Sequence, residues 1–184
     1  LFVGMCAAVI DLLLGVLWGG FAGFLGGWIE ELMMRVVDIL ASIPHLLIVI
    51  VLMLVMGSGL LPIIVAMTIT GWLGMARMVR GQVIQITKQD YVLAAKALGA
   101  GYRRILFKHV IPNIIGPIIV TVTLTIPTAI FVEAFLSFLG LGIQAPASSW
   151  GTLASEGLPA MRYYPWRVFF PALFISISML SFNI

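Results

Sequence analysis

Five long apolar stretches dominate the pattern of hydrophobic and polar positions along this chain. They cover residues 1–27, 36–56, 60–75, 114–136 and 168–184. A helix needs about 20 mostly apolar residues to cross a bilayer whose hydrocarbon core is about 30 Å thick. The pattern therefore predicts an all-α membrane protein, a polytopic bundle of transmembrane helices with about five spans.

The composition supports this class. Hydrophobic residues make up 62% of the chain and charged residues 9%, whereas about 25% of the residues in soluble domains are charged. A chain this apolar cannot cover its surface with enough polar groups to stay in water. The one cysteine, Cys6, lies in an apolar stretch, so neither a disulfide framework nor a metal framework is predicted.

The basic residues concentrate in one connection. The segment 77–113 holds seven of the ten Lys and Arg residues and one acid, Asp90. Lys and Arg are enriched in cytoplasmic loops, so we predict that 77–113 is cytoplasmic. Counting spans then places the connection 140–167 on the outer side.

The same cytoplasmic segment has the periodicity of short helices. Its first apolar and small residues fall at i, i+3, i+4 and i+7, which predicts one helix with a face made of Tyr91, Ala94, Ala95 and Leu98. Gly99 to Gly101 predict the end of that helix, and Pro112 is predicted to end a second one. The product is a helix-turn-helix with a shallow surface for another protein. The alternative is a basic amphipathic segment lying on anionic lipid.

Residues 90–112, DYVLAAKALGAGYRRILFKHVIP, resemble the coupling loop of binding-protein-dependent ABC importer permeases. The residues at matching spacing are Ala94, Ala95, Gly99, Ile111 and Pro112. The chain departs from the family pattern at Leu93, where the family often has Glu, and at His109, where it has an apolar residue. The segment 136–151, LSFLGLGIQAPASSWG, is similar to the outward loop of dipeptide, oligopeptide and nickel permeases.

This resemblance implies that 1–184 is a single permease domain, truncated at both ends, in the prokaryotic cytoplasmic (inner) membrane. It implies a non-enzymatic translocation subunit that binds no cofactor, with ATP and Mg on a separate ATPase subunit. The implied partners are a second permease subunit, two ATPase subunits, an extracytoplasmic substrate-binding protein and membrane lipid, without nucleic acid. The implied ATPase-docking residues are Tyr91, Ala94, Ala95, Gly99, Arg103 and Pro112.

Ionisable residues inside the apolar stretches favour a second hypothesis, a stand-alone channel or an ion-driven secondary transporter. An acid at membrane depth by default indicates a pathway or a polar partner. Glu133 and Trp150 are therefore candidates for a translocation pathway, while Asp11 and His45 are left without an assigned role. No metal site is predicted, because His45 has no second ligand at helical spacing.

Glycines recur every four residues in the first stretch. On a helix, such a stripe of small residues lets a second helix approach closely. We therefore predict a helix-packing face. Its members are Gly15, Gly19, Gly23 and Gly27.

Overall fold

The computed structural model describes residues 2–57, 59–142 and 148–183, and every regular element among them is helical. The α-helices, in chain order, are α1 Phe2–Leu25, α2 Gly27–Ala41, α3 His45–Met56, α4 Leu60–Thr70, α5 Trp72–Thr87, α6 Asp90–Ala97, α7 Tyr102–Ile105, α8 Ile111–Phe138, α9 Trp150–Gly157 and α10 Trp166–Asn183. Ser58, between the second and third apolar stretches, and residues 143–147 of the outward loop lie outside the described residues.

Among the described residues, three helical stretches are long and apolar enough to cross a membrane. They are Gly4–Leu25, Leu61–Thr87 and Tyr102–Phe138. A fourth crossing is available if α2 and α3 count as one broken span, and the apolar part of α10, Trp166–Phe182, is shorter. The all-helical membrane class is confirmed, while the count of five spans stays a prediction.

The chain divides into two compact units. The first contains the described residues of Leu1–Val9, Ile43–Thr70 and Thr123–Ile184. Its core combines branched side chains such as Val49 and Ile63 with small ones such as Ala66 and Ala129. Small residues let membrane helices approach closely enough for dispersion contacts to hold them together.

The second unit contains Ile10–Ser42 and Gly71–Val122. One side of α5 supplies its main cluster, in which Val79 and Val83 are fully buried. Two charged contacts join α2 to α5. Arg77 donates to Asp38 at 2.9 Å, and the Nε of Arg80 donates to Glu30 at 2.6 Å.

Two predicted boundaries differ from the structure. The predicted continuous stretch 36–56 is broken between α2 and α3, where Pro44 has φ −58° and ψ 124°. Proline disfavours the helical conformation of the residue before it, so a helix boundary falls there. The connection predicted to begin at Arg77 is helical as far as Thr87, because burial of Val83 and Ile86 continues the packed face of α5.

Pro112 does not end a helix, contrary to the sequence prediction. The helical stretch continues from Tyr102 to Phe138 and passes through a π-helical segment, Leu106–Val110. A proline inside an α-helix removes one hydrogen bond and crowds the carbonyl four residues earlier. The wider turn avoids this conflict, since the N–H of Ile111 donates to the carbonyl of Leu106, five residues back.

Candidate functional site

A Schellman motif ends α6. The N–H of Gly99 donates to the carbonyl of Lys96 at 2.9 Å, and that of Ala100 donates to the carbonyl of Ala95 at 3.0 Å. This pair of bonds places the residue after the last turn in the left-handed region, and Gly99 has φ 81°. Only glycine adopts that conformation without steric cost. The turn therefore fixes the direction in which the chain leaves α6 towards α7.

The segment from α6 to the π-helical turn is anchored to the second unit by buried side chains. Val92 of α6, Ile105 of α7 and Val110 of the π-helical turn are buried in the same cluster as Val83 and Ile86 of α5. Burying a Val or Ile side chain contributes about 1.5–3 kcal/mol. We infer that α6 and α7 are held on the end of α5 as a packed extension and do not form a loose loop.

Ring contacts add to this anchoring. Tyr91 lies against His109, with ring centroids 6.0 Å apart. Tyr102 meets the edge of Phe24 at 5.9 Å. Both separations lie in the range at which aromatic pairs attract each other.

The same segment also exposes apolar side chains. Leu98 is 89% exposed, Tyr102 75% and Leu93 48%, and Ala94 lies among them. An exposed apolar patch with a polar rim marks a contact surface for a protein or a membrane. We call these four residues and Gly99 the docking surface.

The predicted docking residues divide between this surface and the anchored side. Ala94, Gly99 and Arg103 are exposed, Tyr91 is partly exposed and Ala95 is half-buried. Pro112 lies in α8 instead. The docking prediction did not include Leu98, which is 89% exposed, or Val92, which is fully buried. Periodicity alone did not decide which face would turn inward.

Three of the four glycines in the predicted packing stripe lie against α5. A Cβ built on Gly15 would lie 2.5 Å from a side-chain carbon of α5, one on Gly19 would overlap a backbone carbonyl oxygen, and one on Gly23 would lie 2.8 Å from another. The α5 residues that provide these atoms are Met75, Ala76 and Arg80. Side chains at these positions would hold the two helices apart.

Gly27 does not belong to this face, so that part of the prediction is wrong. The helix α1 ends at Leu25, and Gly26 and Gly27 have φ 67° and 58°. A Cβ on Gly27 would meet no atom within 4 Å. Gly27 therefore serves the turn between two helices and not their packing.

The two candidate pathway residues have partners in the first unit. Glu133 is 6% exposed, and its carboxylate accepts a hydrogen bond from the hydroxyl of Ser137 at 2.8 Å, one helical turn away. Trp150 begins α9 and stacks on Phe174 of α10, with ring centroids 6.0 Å apart. A buried acid with a hydrogen-bond donor one turn away can contribute to helix packing or to a translocation pathway. The geometry of Glu133 is compatible with both roles.

Asp11 packs against backbone without a hydrogen bond to its buried Oδ1, and His45 has one hydroxyl partner within the described part of the chain. The carboxylate of Asp11 lies against Gly71, where a Cβ would overlap it. A ring nitrogen of His45 lies 2.8 Å from the hydroxyl of Thr70. Among the described residues, no group of three or more His, Cys, Asp or Glu side chains could hold a metal ion.

Residues 15–184 match the profile of the family described as binding-protein-dependent transport system inner membrane component. The chain belongs to this family. The match covers both long apolar stretches that flank α6 and α7, and it confirms the resemblance to importer permeases noted from the sequence.

The curated relatives include peptide permeases. The chain is 62% identical over 184 residues to the oligopeptide transport system permease protein OppC of Bacillus subtilis (strain 168), and it covers 60% of that protein. It is 58% identical over 185 residues to the dipeptide transport system permease protein DppC of the same strain, and it covers 58% of it. Both alignments take in 100% of this chain, which therefore spans about three fifths of the length of these relatives.

Two solved structures share the fold. One is a chain of the MetNI methionine ABC transporter in inward-facing conformations, with TM-score 0.80, 18% identity and coverage of 98% of this chain and 86% of that one. The other is a chain of an amino acid ABC transporter with histidines, with TM-score 0.70, 16% identity and coverage of 100% and 87%. At these identities, the likeness shows the fold alone.

Proposed function

We propose that this chain is the translocation subunit of an ATP-driven importer of dipeptides or oligopeptides in the prokaryotic cytoplasmic membrane. The names of the Bacillus relatives support the peptide cargo, and membership of the family supports an importer over a stand-alone channel or ion-driven carrier. In this proposal, a second permease subunit completes the pathway. Two ATPase subunits bind ATP and Mg, and an extracytoplasmic binding protein delivers the peptide.

The observation that carries the proposal is the docking surface and its anchoring. The docking surface, which includes Leu98, is exposed on one side of α6 and α7. On the other side, Val92 and Ile105 are packed into a cluster with α5 and α8. An ATPase bound to the docking surface would therefore, when it moves, also move the ends of α5 and α8.

This arrangement provides a mechanism for coupling. ATP shifts the equilibrium between two transporter states only by the difference in its affinity for them. In our proposal, closure of the ATPase subunits moves the docking surface, and the anchored helices change between inward-open and outward-open arrangements. Tyr91, Ala94, Ala95, Gly99 and Arg103 seat the ATPase, while Glu133 and Trp150 contribute to the pathway.

The test compares Gly99→Ala with Gly101→Ala. Both glycines are exposed and have no atom within 4 Å of an added Cβ, but Gly99 has φ 81° and Gly101 has φ −67°. A left-handed conformation costs alanine about 1–2 kcal/mol, so only the first variant strains the Schellman turn. In the free permease the variant relaxes this turn, and docking has to restore it, so the cost falls on binding. Since about 1.4 kcal/mol corresponds to tenfold in an equilibrium constant, we expect Gly99→Ala to bind the ATPase up to about tenfold less tightly.

The measurement is ATP-dependent peptide uptake by the full-length transporter, together with the ATPase subunit recovered on purification of the permease. Gly99→Ala is expected to lower both, and Gly101→Ala to leave both unchanged at equal permease content in the membrane. Normal uptake and normal recovery with Gly99→Ala would contradict the docking role.

A further inference from the structure

A groove of about 350 Å³ lies between α9 and α10 in the first unit. Most of its lining is aromatic or aliphatic, with one acid and one base. Its principal side chains are Trp150, Glu156, Trp166, Arg167, Phe170 and Phe174. Small-molecule sites occupy about 300–1,000 Å³ and combine apolar walls with a few polar groups that fix orientation. The groove matches that description at the small end of the range.

Local contacts fix the α9 wall of the groove. Ser149 and Thr152 form a capping box at the start of α9, where the Ser149 hydroxyl accepts from the N–H of Thr152 at 3.3 Å and the Ser149 N–H donates to the Thr152 hydroxyl at 2.8 Å. Gly151, which lies between these two residues in the chain, is so close to the backbone of Ala134 that a Cβ would overlap it. The start of α9 is therefore held at both its cap and its packed face.

The end of α9 is fixed to α10 in a similar way. A Cβ on Gly157 would lie 2.9 Å from the carbonyl oxygen of Arg167. Pro171, four residues later in α10, has no N–H to donate to that carbonyl. The stack of Trp150 on Phe174 joins the two walls, so the helices that frame the groove are held together while its charged side chains stay exposed.

The two charged side chains of the groove have no ion-pair partner within the described part of the chain. Glu156 is on α9 and Arg167 is on α10, so each wall offers one charge. A carboxylate beside indole faces suits an ammonium group, which is attracted both to the anion and to the ring. A guanidinium suits a carboxylate, which it can bind with two parallel hydrogen bonds.

We propose that this groove binds a short peptide with both termini charged, an inference that rests on the proposed function in peptide import. The peptide ammonium group binds Glu156 and an indole face, its carboxylate binds Arg167, and its side chains contact Phe170 and Phe174. The headgroup of a zwitterionic phospholipid carries the same two charges. The α9 wall, however, belongs to the connection 140–167, which is predicted to lie on the outer side, where the binding protein delivers the peptide, so we assign the groove to the peptide.

The test uses the assembled full-length transporter in lipid nanodiscs with the binding protein omitted, so that any peptide signal comes from the membrane complex. Saturation-transfer NMR measures the binding of dialanine, N-acetyl-dialanine and dialanine amide. On the unmodified protein we expect each capped peptide to bind about five- to tenfold more weakly than dialanine, because each has lost one charged contact.

The variants assign each terminus to its side chain. Glu156→Gln should bind dialanine and its N-acetyl form equally while still discriminating against the amide, and Arg167→Gln should show the reverse. Glu31→Gln and Arg162→Gln change exposed acidic and basic residues that lie outside the groove, and they should behave as the unmodified protein does. The capped peptides test the same two contacts without any variant.

Three outcomes would overturn this inference. The first is the absence of dialanine binding, and the second is binding of the capped peptides as tight as that of dialanine. The third is displacement of dialanine when the nanodisc lipid is changed from phosphatidylglycerol to phosphatidylethanolamine, which would assign the groove to the headgroup. A parallel uptake assay with the binding protein present separates this result from the proposed function. If peptides are taken up but do not bind in the groove, only the groove proposal fails, whereas absence of peptide uptake refutes the proposed function itself.

Discussion

The close approach of α1 to α5 leads to a sharp prediction, because two adjacent glycines of α1 have opposite surroundings. A Cβ on Gly19 would overlap the carbonyl oxygen of Ala76 and lie 3.0 Å from its Cα, whereas a Cβ on Gly20 would meet no atom within 4 Å. The obstacle at Gly19 is backbone, so it cannot rotate away as a flexible side chain would. We expect Gly19→Ala to destabilise the permease and Gly20→Ala to stabilise it.

The expected change in the free energy of unfolding follows from two contributions, helix propensity and overpacking. Replacing glycine by alanine inside a helix contributes about 0.8–1.0 kcal/mol of stability at either position. Overpacking costs about 1–3 kcal/mol, and the upper end applies where the neighbour is a carbonyl group. The net expectation is a loss of about 2 kcal/mol for Gly19→Ala and a gain of up to about 1 kcal/mol for Gly20→Ala. Their difference, about 3 kcal/mol, isolates the steric term because the helix-propensity term cancels.

The assay measures the thermal midpoint of the full-length permease in detergent. The midpoint is the temperature at which half of the monodisperse gel-filtration peak is lost. For chains of about 150–250 residues, 1 kcal/mol shifts the midpoint by about 2–4 °C, and the shift is smaller in a longer chain. Gly19→Ala is therefore expected to melt up to about 8 °C lower, and Gly20→Ala up to about 4 °C higher. Equal midpoints for the two variants would refute the assignment of Gly19 to the contact with α5.

Two further predictions concern the first unit and the topology. Ser137→Ala leaves the buried carboxylate of Glu133 without its donor and should cost about 1–3 kcal/mol, whereas Glu133→Gln keeps an acceptor and should cost about 1 kcal/mol or less in the same thermal assay. If Glu133→Gln lowers uptake at unchanged stability, Glu133 belongs to the pathway, and unchanged uptake would limit it to packing. In a cysteine-free background that includes Cys6→Ala, we expect Ala97→Cys to react with an impermeant maleimide only from the cytoplasmic side. Tyr163→Cys should react in intact cells, and the opposite labelling pattern would reverse the proposed topology.

The periodicity of the sequence predicted the helices of the docking segment well, but not their orientation. Tyr91, Ala94 and Ala95 do lie within α6, Leu98 is its C-cap, and the break falls at Gly99. Which residue would be buried depended on the position of α5, and it is Val92 that enters the cluster. Spacing along a helix defines faces, while a neighbouring helix decides which face is covered.

The groove between α9 and α10 was missed at the sequence level. The Ser149 and Thr152 pair is a capping signal that could have indicated the start of α9. Nothing in the spacing of Glu156 and Arg167 indicated that they would line one groove, because eleven positions and a turn with Pro165 separate them. Only packing of the two helices brings their side chains to opposite walls.

The sequence by itself determined the membrane class, the helical content and the short helices α6 and α7, because these depend on local composition, on the length of apolar runs and on residues close together in the chain. The tertiary structure decided the rest. Helix continuation through Pro112 depends on a π-helical turn, and the exclusion of Gly27 from the packing stripe depends on where α1 ends. Both outcomes result from contacts and hydrogen bonds that form only when the helices meet, and a one-dimensional pattern does not contain that geometry.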